Sequence, residues 1–137
     1  MAEETGDAGR MKLLLDTNAL TWIHQNSVRL GKRTRQRIQD AHSVYFSPLS
    51  FFEWLQKDKV GGVKAAAFIA ATRELGFIEL PLSAGAVQEA TRFGTLRNRD
   101  PFDALILAQA SYSEIDFYTS DQRILDLGLA FVRDSSL

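Results

Sequence analysis

The 137-residue chain contains no cysteine and only two histidines. The first absence removes disulfides and thiolate ligands, and the second leaves any zinc site dependent on carboxylates. A metal bound by this chain would be held mainly by oxygen, which favours hard cations. Positive charge is not in excess either. Sixteen Lys and Arg face 17 Asp and Glu, for a net charge of −1, so contact with a phosphate backbone would rely on local basic surface. No run approaches the roughly 20 apolar residues that a membrane span requires. Repeats and low-complexity linkers are missing too, so nothing marks a second domain. What the chain does have is apolar material, 45% of its residues, enough for one buried core. Residues 1–10 are polar and lack an apolar segment, which excludes a signal peptide or an anchor there. They are expected to form a mobile tail, with Met11 as an alternative start, before a domain spanning 11–137. The expected setting is soluble and cytoplasmic.

Short apolar runs alternate with helical periodicity, the pattern of an α/β domain with a mainly parallel sheet. Strands are predicted at 13–15, 44–46, 77–80, 117–119 and 130–132. Helices are predicted at 19–25, 32–41, 49–59, 63–75, 84–93 and 101–112. Gly61-Gly62 and Gly76 supply breaks.

Four acids stand in informative places on this scheme. Asp16 ends the run Leu13-Leu14-Leu15, and Asp121 follows Tyr118-Thr119-Ser120, so both leave the carboxyl ends of strands, where open α/β sheets bind ligands. Capping of the following helix is the simpler role for either one. Glu53 falls opposite the arc formed by Phe51, Phe52, Trp54 and Leu55, so periodicity makes it solvent-facing. Asp103 has a structural role available as well. Asp100 suits the N-cap, Pro101 the first helical position, and Asp103 the third-residue slot of a capping turn. The Ala104-Leu105-Ile106-Leu107-Ala108 stretch that follows is apolar all round and reads as buried. Asp103 at its edge would need hydrogen bonds, a cation or protonation.

Taken together, these segments resemble the PIN-domain nucleases, and among them the VapC toxins of toxin-antitoxin pairs. The likeness runs from Met11 to about Val132. It rests on Leu14-Leu15-Asp16-Thr17-Asn18, the Ser50 to Glu53 helix segment, Thr119-Ser120-Asp121, and Arg99-Asp100-Pro101-Phe102-Asp103 with Ala108-Gln109-Ala110 after it. The resemblance implies a three-layer α/β/α fold with a mainly parallel sheet. It also implies a Mg²⁺- or Mn²⁺-dependent ribonuclease whose catalytic, metal-holding acids are Asp16, Glu53, Asp103 and Asp121. Thr17, Asn18 and Thr119 match supporting positions, and Asp100 a helix cap beside the site. Implied partners are RNA, a cognate antitoxin and a second copy of the chain.

The chemistry is coherent with the name set aside. Mg²⁺ takes near-octahedral oxygen coordination from a few carboxylates, waters and phosphate oxygens. Gathered carboxylates repel one another until a cation relieves them. Arg97 and Arg99, with Arg92 before them, lead directly into Asp103 and are candidate RNA contacts. The acid-free stretch Arg29, Lys32, Arg33, Arg35 and Arg37 equally suits a solvated helix face. His24 and His42 suit ordinary surface or core roles. Trp22, Phe51, Phe52 and Trp54 could line an antitoxin groove, although aromatics at helical spacing usually serve the core. A haloacid-dehalogenase-like phosphotransferase would carry a second acid two positions after Asp16, where Asn18 stands. A catalytically weak binding module that keeps the fold is the other alternative.

Overall fold

The computed structural model describes residues 11–137, and the tail expected at 1–10 lies outside them. Leu13, Leu14 and Leu15 expose no surface. Their strand, β1 (Lys12–Leu15), is the centre of a five-stranded sheet completed by β2 (Ser43–Phe46), β3 (Ile78–Glu79), β4 (Asp116–Thr119) and β5 (Val132–Asp134). The order is β3-β2-β1-β4-β5, and every pairing is parallel. A strand covered on both faces needs no polar alternation, which is why β1 reads as an unbroken apolar run.

Side-chain alternation divides the core in two. Leu13 and Leu15 join Val44, Phe46 and Tyr118 on one face of the sheet, while Leu14 and Phe117 belong to the other. On the first face lie α1 (Thr17–Gln25), α2 (Lys32–Asp40), α3 (Pro48–Lys57) and α4 (Val63–Glu74), contributing Leu20, Ile38, Phe51 and Phe68. Against the second pack α5 (Ala84–Glu89), a 3₁₀ turn (Ala90–Phe93), α6 (Gly94–Arg99), α7 (Pro101–Ser113) and the short α8 (Gln122–Leu125). The fold is therefore the three-layer α/β/α arrangement, with an entirely parallel sheet. Helix α5 meets α7 closely at Gly85, where any Cβ would collide with the Tyr112 ring. Among the described residues no helix is long and apolar enough to cross a membrane.

Some boundaries differ from the sequence reading for identifiable reasons. The helix expected over 84–93 stops at Glu89 and reappears as α6 after the 3₁₀ turn. Asp100 then closes α6 outside the helical region, φ −144° and ψ 88°, as the clash with a following proline ring requires. Strand β5 begins at Val132 rather than 130, because Val132 pairs with Phe117 and Asp134 with Thr119. Leu129 and Phe131 are apolar because they pack against the core from a loop. At the sheet's edge β3 is cut to two exposed residues, which limits pairing with other chains.

The Ala108-Gln109-Ala110 segment of α7 turns out to be scaffold. Fully buried Gln109 donates from Nε2 to the Leu80 carbonyl at 2.8 Å and accepts from the buried Ser47 hydroxyl, tying α7 to the chain on either side of the α3–α4 layer. Gln109→Ala strands both partners without water and opens a void. The expected loss is about 2–4 kcal/mol of unfolding free energy, read by denaturant titration. A variant as stable as the parent would contradict this role.

Candidate active site

Because β1 pairs with β2 on one side and β4 on the other, the chain changes winding direction between β1 and β4. Open sheets of this kind have their ligand crevice at that point, beyond the carboxyl ends of the strands. Asp16 emerges there. Its backbone N–H donates to the Tyr118 carbonyl at 3.0 Å, continuing the β1–β4 ladder by one bond. Its Oδ1 accepts from Ala19 N at 2.7 Å, capping α1, and its Oδ2 accepts from Thr119 Oγ1 at 2.6 Å. Thr119 Oγ1 accepts in turn from Asp121 N at 3.0 Å. Capping and siting are thus compatible for Asp16, since one oxygen serves each purpose. Burial pushes its carboxyl up to about 6, with repulsion from Asp121 and Glu53 adding to it, and the Thr119 and Ala19 bonds offset only part of that rise.

Glu53 corrects the solvent-facing assignment. It is half-buried and aimed at α1, where Thr17 Oγ1 lies 2.8 Å from its Oε1 and 2.9 Å from the buried Ser50 hydroxyl. Thr17 can donate its one proton to the carboxylate while accepting from Ser50. A helical wheel drawn for α3 alone could not register this, because the neighbour that covers the polar side of α3 comes from another helix.

Asp103 and Asp100 stand at the start of α7. Asp100 is the N-cap, its Oδ1 accepting from Asp103 N at 3.0 Å, and Pro101 occupies the first turn. The Asp103 carboxyl is pushed up to about 8, first by burial, then by a hydrogen bond with Asp100 that favours the protonated form and by repulsion from Asp100, Glu53 and Asp121. Mutual repulsion links Asp16 to Glu53 and Asp121, and Asp103 to the same two residues. These repulsions set Glu53 and Asp121 near both Asp16 and Asp103 at the carboxyl end of the sheet, without joining three of the four acids in one chelating group.

Arg123 also belongs here, and the sequence reading missed it. Its Nη2 lies 2.8 Å from Asp121 Oδ2, 3.3 Å from Asp103 Oδ2 and 3.7 Å from Asp100 Oδ2. Hydrogen bonds from this guanidinium hold the Asp121 carboxyl below its ordinary range. The available signal was a cation two positions after a strand-end acid, but side-chain direction on a four-residue helix cannot be read from spacing. Of the other expected residues, Asn18 is exposed and lines a cleft of about 230 Å³ with Thr17, Trp54 and Lys57. Arg97 and Arg99 are exposed on α6 beside Asp100. His42 is exposed, while His24 meets Thr72 at 2.8 Å and the edge of Phe68, roles without site chemistry. Phe51 is core, and Phe52 leaves the core to pack on Phe102.

The donor chemistry fits a hard divalent cation, being carboxylates with hydroxyls behind them and no nitrogen or sulfur ligand. Among the described residues, however, no three such side chains stand in chelating geometry. Internal donors hold them instead: Ala19 N and Thr119 on Asp16, Thr17 on Glu53, and Arg123 on Asp103 and Asp121. Coordination would require those contacts to rearrange, and the burial and repulsion that raise the Asp16 and Asp103 carboxyls are what a cation would offset.

Comparison with known proteins agrees with the fold. In structure, the chain is similar to VapBC2 from Rickettsia felis bound to a DNA fragment from their promoter (TM-score 0.66, 13% identity, 90% of this chain and 98% of that one). It is similar to a toxin-antitoxin complex from Klebsiella pneumoniae (0.64, 20%, 90% and 97%). VapBC-1 from nontypeable Haemophilus influenzae also superposes (0.66, 15%, 93% and 100%). No curated protein matches it in sequence. The pattern of the PIN domain matches residues 13–129, nearly the whole of the described fold including all four acids, and the chain belongs to the PIN domain family.

Proposed function

We propose that this protein is a Mg²⁺- or Mn²⁺-dependent endoribonuclease acting as the toxin of a toxin-antitoxin pair. The observation that best supports the reading is that Asp16 and Asp121 leave neighbouring strand ends, joined through Thr119, with the Asp16 and Asp103 carboxyls both pushed up by burial and by repulsion from Glu53 and Asp121. Membership of a nuclease family and likeness to toxin-antitoxin complexes support it. The four acids would hold the ion, Thr17 orienting Glu53 and Thr119 orienting Asp16. When bound, the ion supplies a low-pKa water and charge neutralisation at the phosphate. The chain's own part is to fix the carboxylates, keep the crevice apolar behind them through α7, and seat the RNA.

Water as nucleophile forms a new bond to phosphorus while one ester P–O bond breaks, and the ribose 2′-hydroxyl takes no part. Cleavage products should therefore end in linear phosphates. Purified protein is incubated with structured RNAs in Mg²⁺, Mn²⁺ or chelator, and product termini are resolved by mass spectrometry. Cleavage confined to the metal arms with linear ends is expected; 2′,3′-cyclic phosphate ends, or cleavage in chelator, would overturn the reading.

Arg97 and Arg99 would seat the RNA backbone next to Asp100 and Asp103. Replacing both with Ala should raise KM roughly tenfold and flatten its salt dependence while kcat changes little, as loss of phosphate contacts does. A fall in kcat at constant KM would move these residues out of that role. For the antitoxin, we place the docking surface on the apolar groove of about 330 Å³ among α1, α3 and α4, where Thr21, Trp54 and Phe68 lie. It adjoins the cleft that Thr17 and Asn18 line, sharing Trp54 and Thr21 with it. A homodimer is the assembly we expect of the toxin.

A further inference from the structure

We infer that Arg123 is a built-in counter-cation that occupies the carboxylates of Asp103 and Asp121 in the metal-free protein and must swing out for a divalent ion to enter. The inference rests on the metal-site reading above. Its basis is geometric. Arg123 grips Asp121 as a fork, Nε 3.2 Å from Oδ1 and Nη2 2.8 Å from Oδ2, and the same Nη2 reaches Asp103. Among the described residues, no other cation pairs with Asp100, Asp103 or Asp121. A guanidinium and a dication compete for those oxygens, because like charges repel at such range and the fork already holds both oxygens of Asp121.

Release is mechanically simple. Arg123 is 47% exposed and sits on the single-turn α8, so its side chain can rotate into solvent without disturbing the core. Its backbone N–H keeps its own bond to Asp121 Oδ1 at 2.9 Å, which holds Asp121 in place when the side chain leaves. Reciprocity follows from linkage: whatever Arg123 contributes to the metal-free site, it subtracts from metal affinity. The apo crevice is thereby kept together at the cost of weaker ion binding.

The test is Mn²⁺ binding by calorimetry, without RNA, for the parent protein and for Arg123→Gln and Arg123→Lys, with melting curves in chelator. The Gln variant should bind Mn²⁺ about fivefold more tightly, the scale of an exposed ion-pair contribution, and melt at a lower temperature in chelator. The Lys variant keeps the charge but not the fork and should bind about twofold more tightly; it carries the test if the Gln variant does not fold. Equal or weaker Mn²⁺ binding by the variants would overturn the role of Arg123 while leaving the metal site standing. Absence of Mn²⁺ binding by every protein, the parent included, would overturn both.

Discussion

Asp103→Asn should abolish RNA cleavage and at the same time raise the melting temperature of the metal-free protein. The two effects share one cause. Asp103 is placed at the edge of the core, only 26% exposed, facing three other acids, and its carboxyl is pushed up to about 8. An amide is close to isosteric and uncharged, and it can donate to Asp100 as the protonated acid does. Removing the repulsion should stabilise the apo fold by about 1 kcal/mol, a few degrees in Tm for a domain of this size, after discounting for solvent and for the lost Arg123 pair. Removing a metal ligand should lower cleavage by about a thousandfold or more. Calorimetric melting in chelator and single-turnover cleavage measure the two halves. An inactive variant that melts lower than the parent would mean that the Arg123 pair outweighs the repulsion.

Metal affinity should climb steeply with pH. Both raised groups hold in the folded protein a proton that the unfolded chain sheds near 3.8. The stability that this contributes is present at acid pH. It falls as pH rises from about 4 through 6 for Asp16 and through 8 for Asp103. A cation must displace the same protons. Across pH 6 to 8, where Asp103 deprotonates and Asp16 completes its titration, apparent Mn²⁺ affinity should rise at least tenfold, about a hundredfold being the ceiling for one proton over two pH units. The rise in Tm produced by Mn²⁺ should widen over the same interval. Calorimetric titrations at pH 6, 7 and 8 decide it, and an affinity independent of pH would show that the site is not preloaded with protons.

The parts legible in the sequence were those where a local pattern has one physical reading. An apolar run ending in Asp16 read as a buried strand, and Asp100-Pro101 as the opening of a helix. A mainly parallel sheet followed from the alternation of elements, and the three layers from the resemblance to PIN domains. Less was readable wherever a side chain's surroundings come from elsewhere in the chain. Glu53 looked wet because α1 is invisible to the periodicity of α3. Arg123 went unnoticed because no pattern says which way a single-turn helix points its cation. Gln109 was quoted as part of a motif, yet its work is to close buried hydrogen bonds around Leu80 and Ser47. Asp16 illustrates the limit best: capping and ligand roles looked like rivals, and the fold assigns one carboxylate oxygen to Ala19 and the other to Thr119 at the crevice.

The central claim is that Asp16, Glu53, Asp103 and Asp121 act through a divalent ion on RNA. Its most direct test is cleavage of a pool of structured RNAs by the parent protein and by Asp16→Asn, each in Mn²⁺ and in chelator, with circular dichroism confirming the fold of both. Cleavage by the parent in Mn²⁺ alone, with none by the folded variant, is the predicted result. Equal cleavage by the two proteins, or undiminished cleavage in chelator, would contradict it.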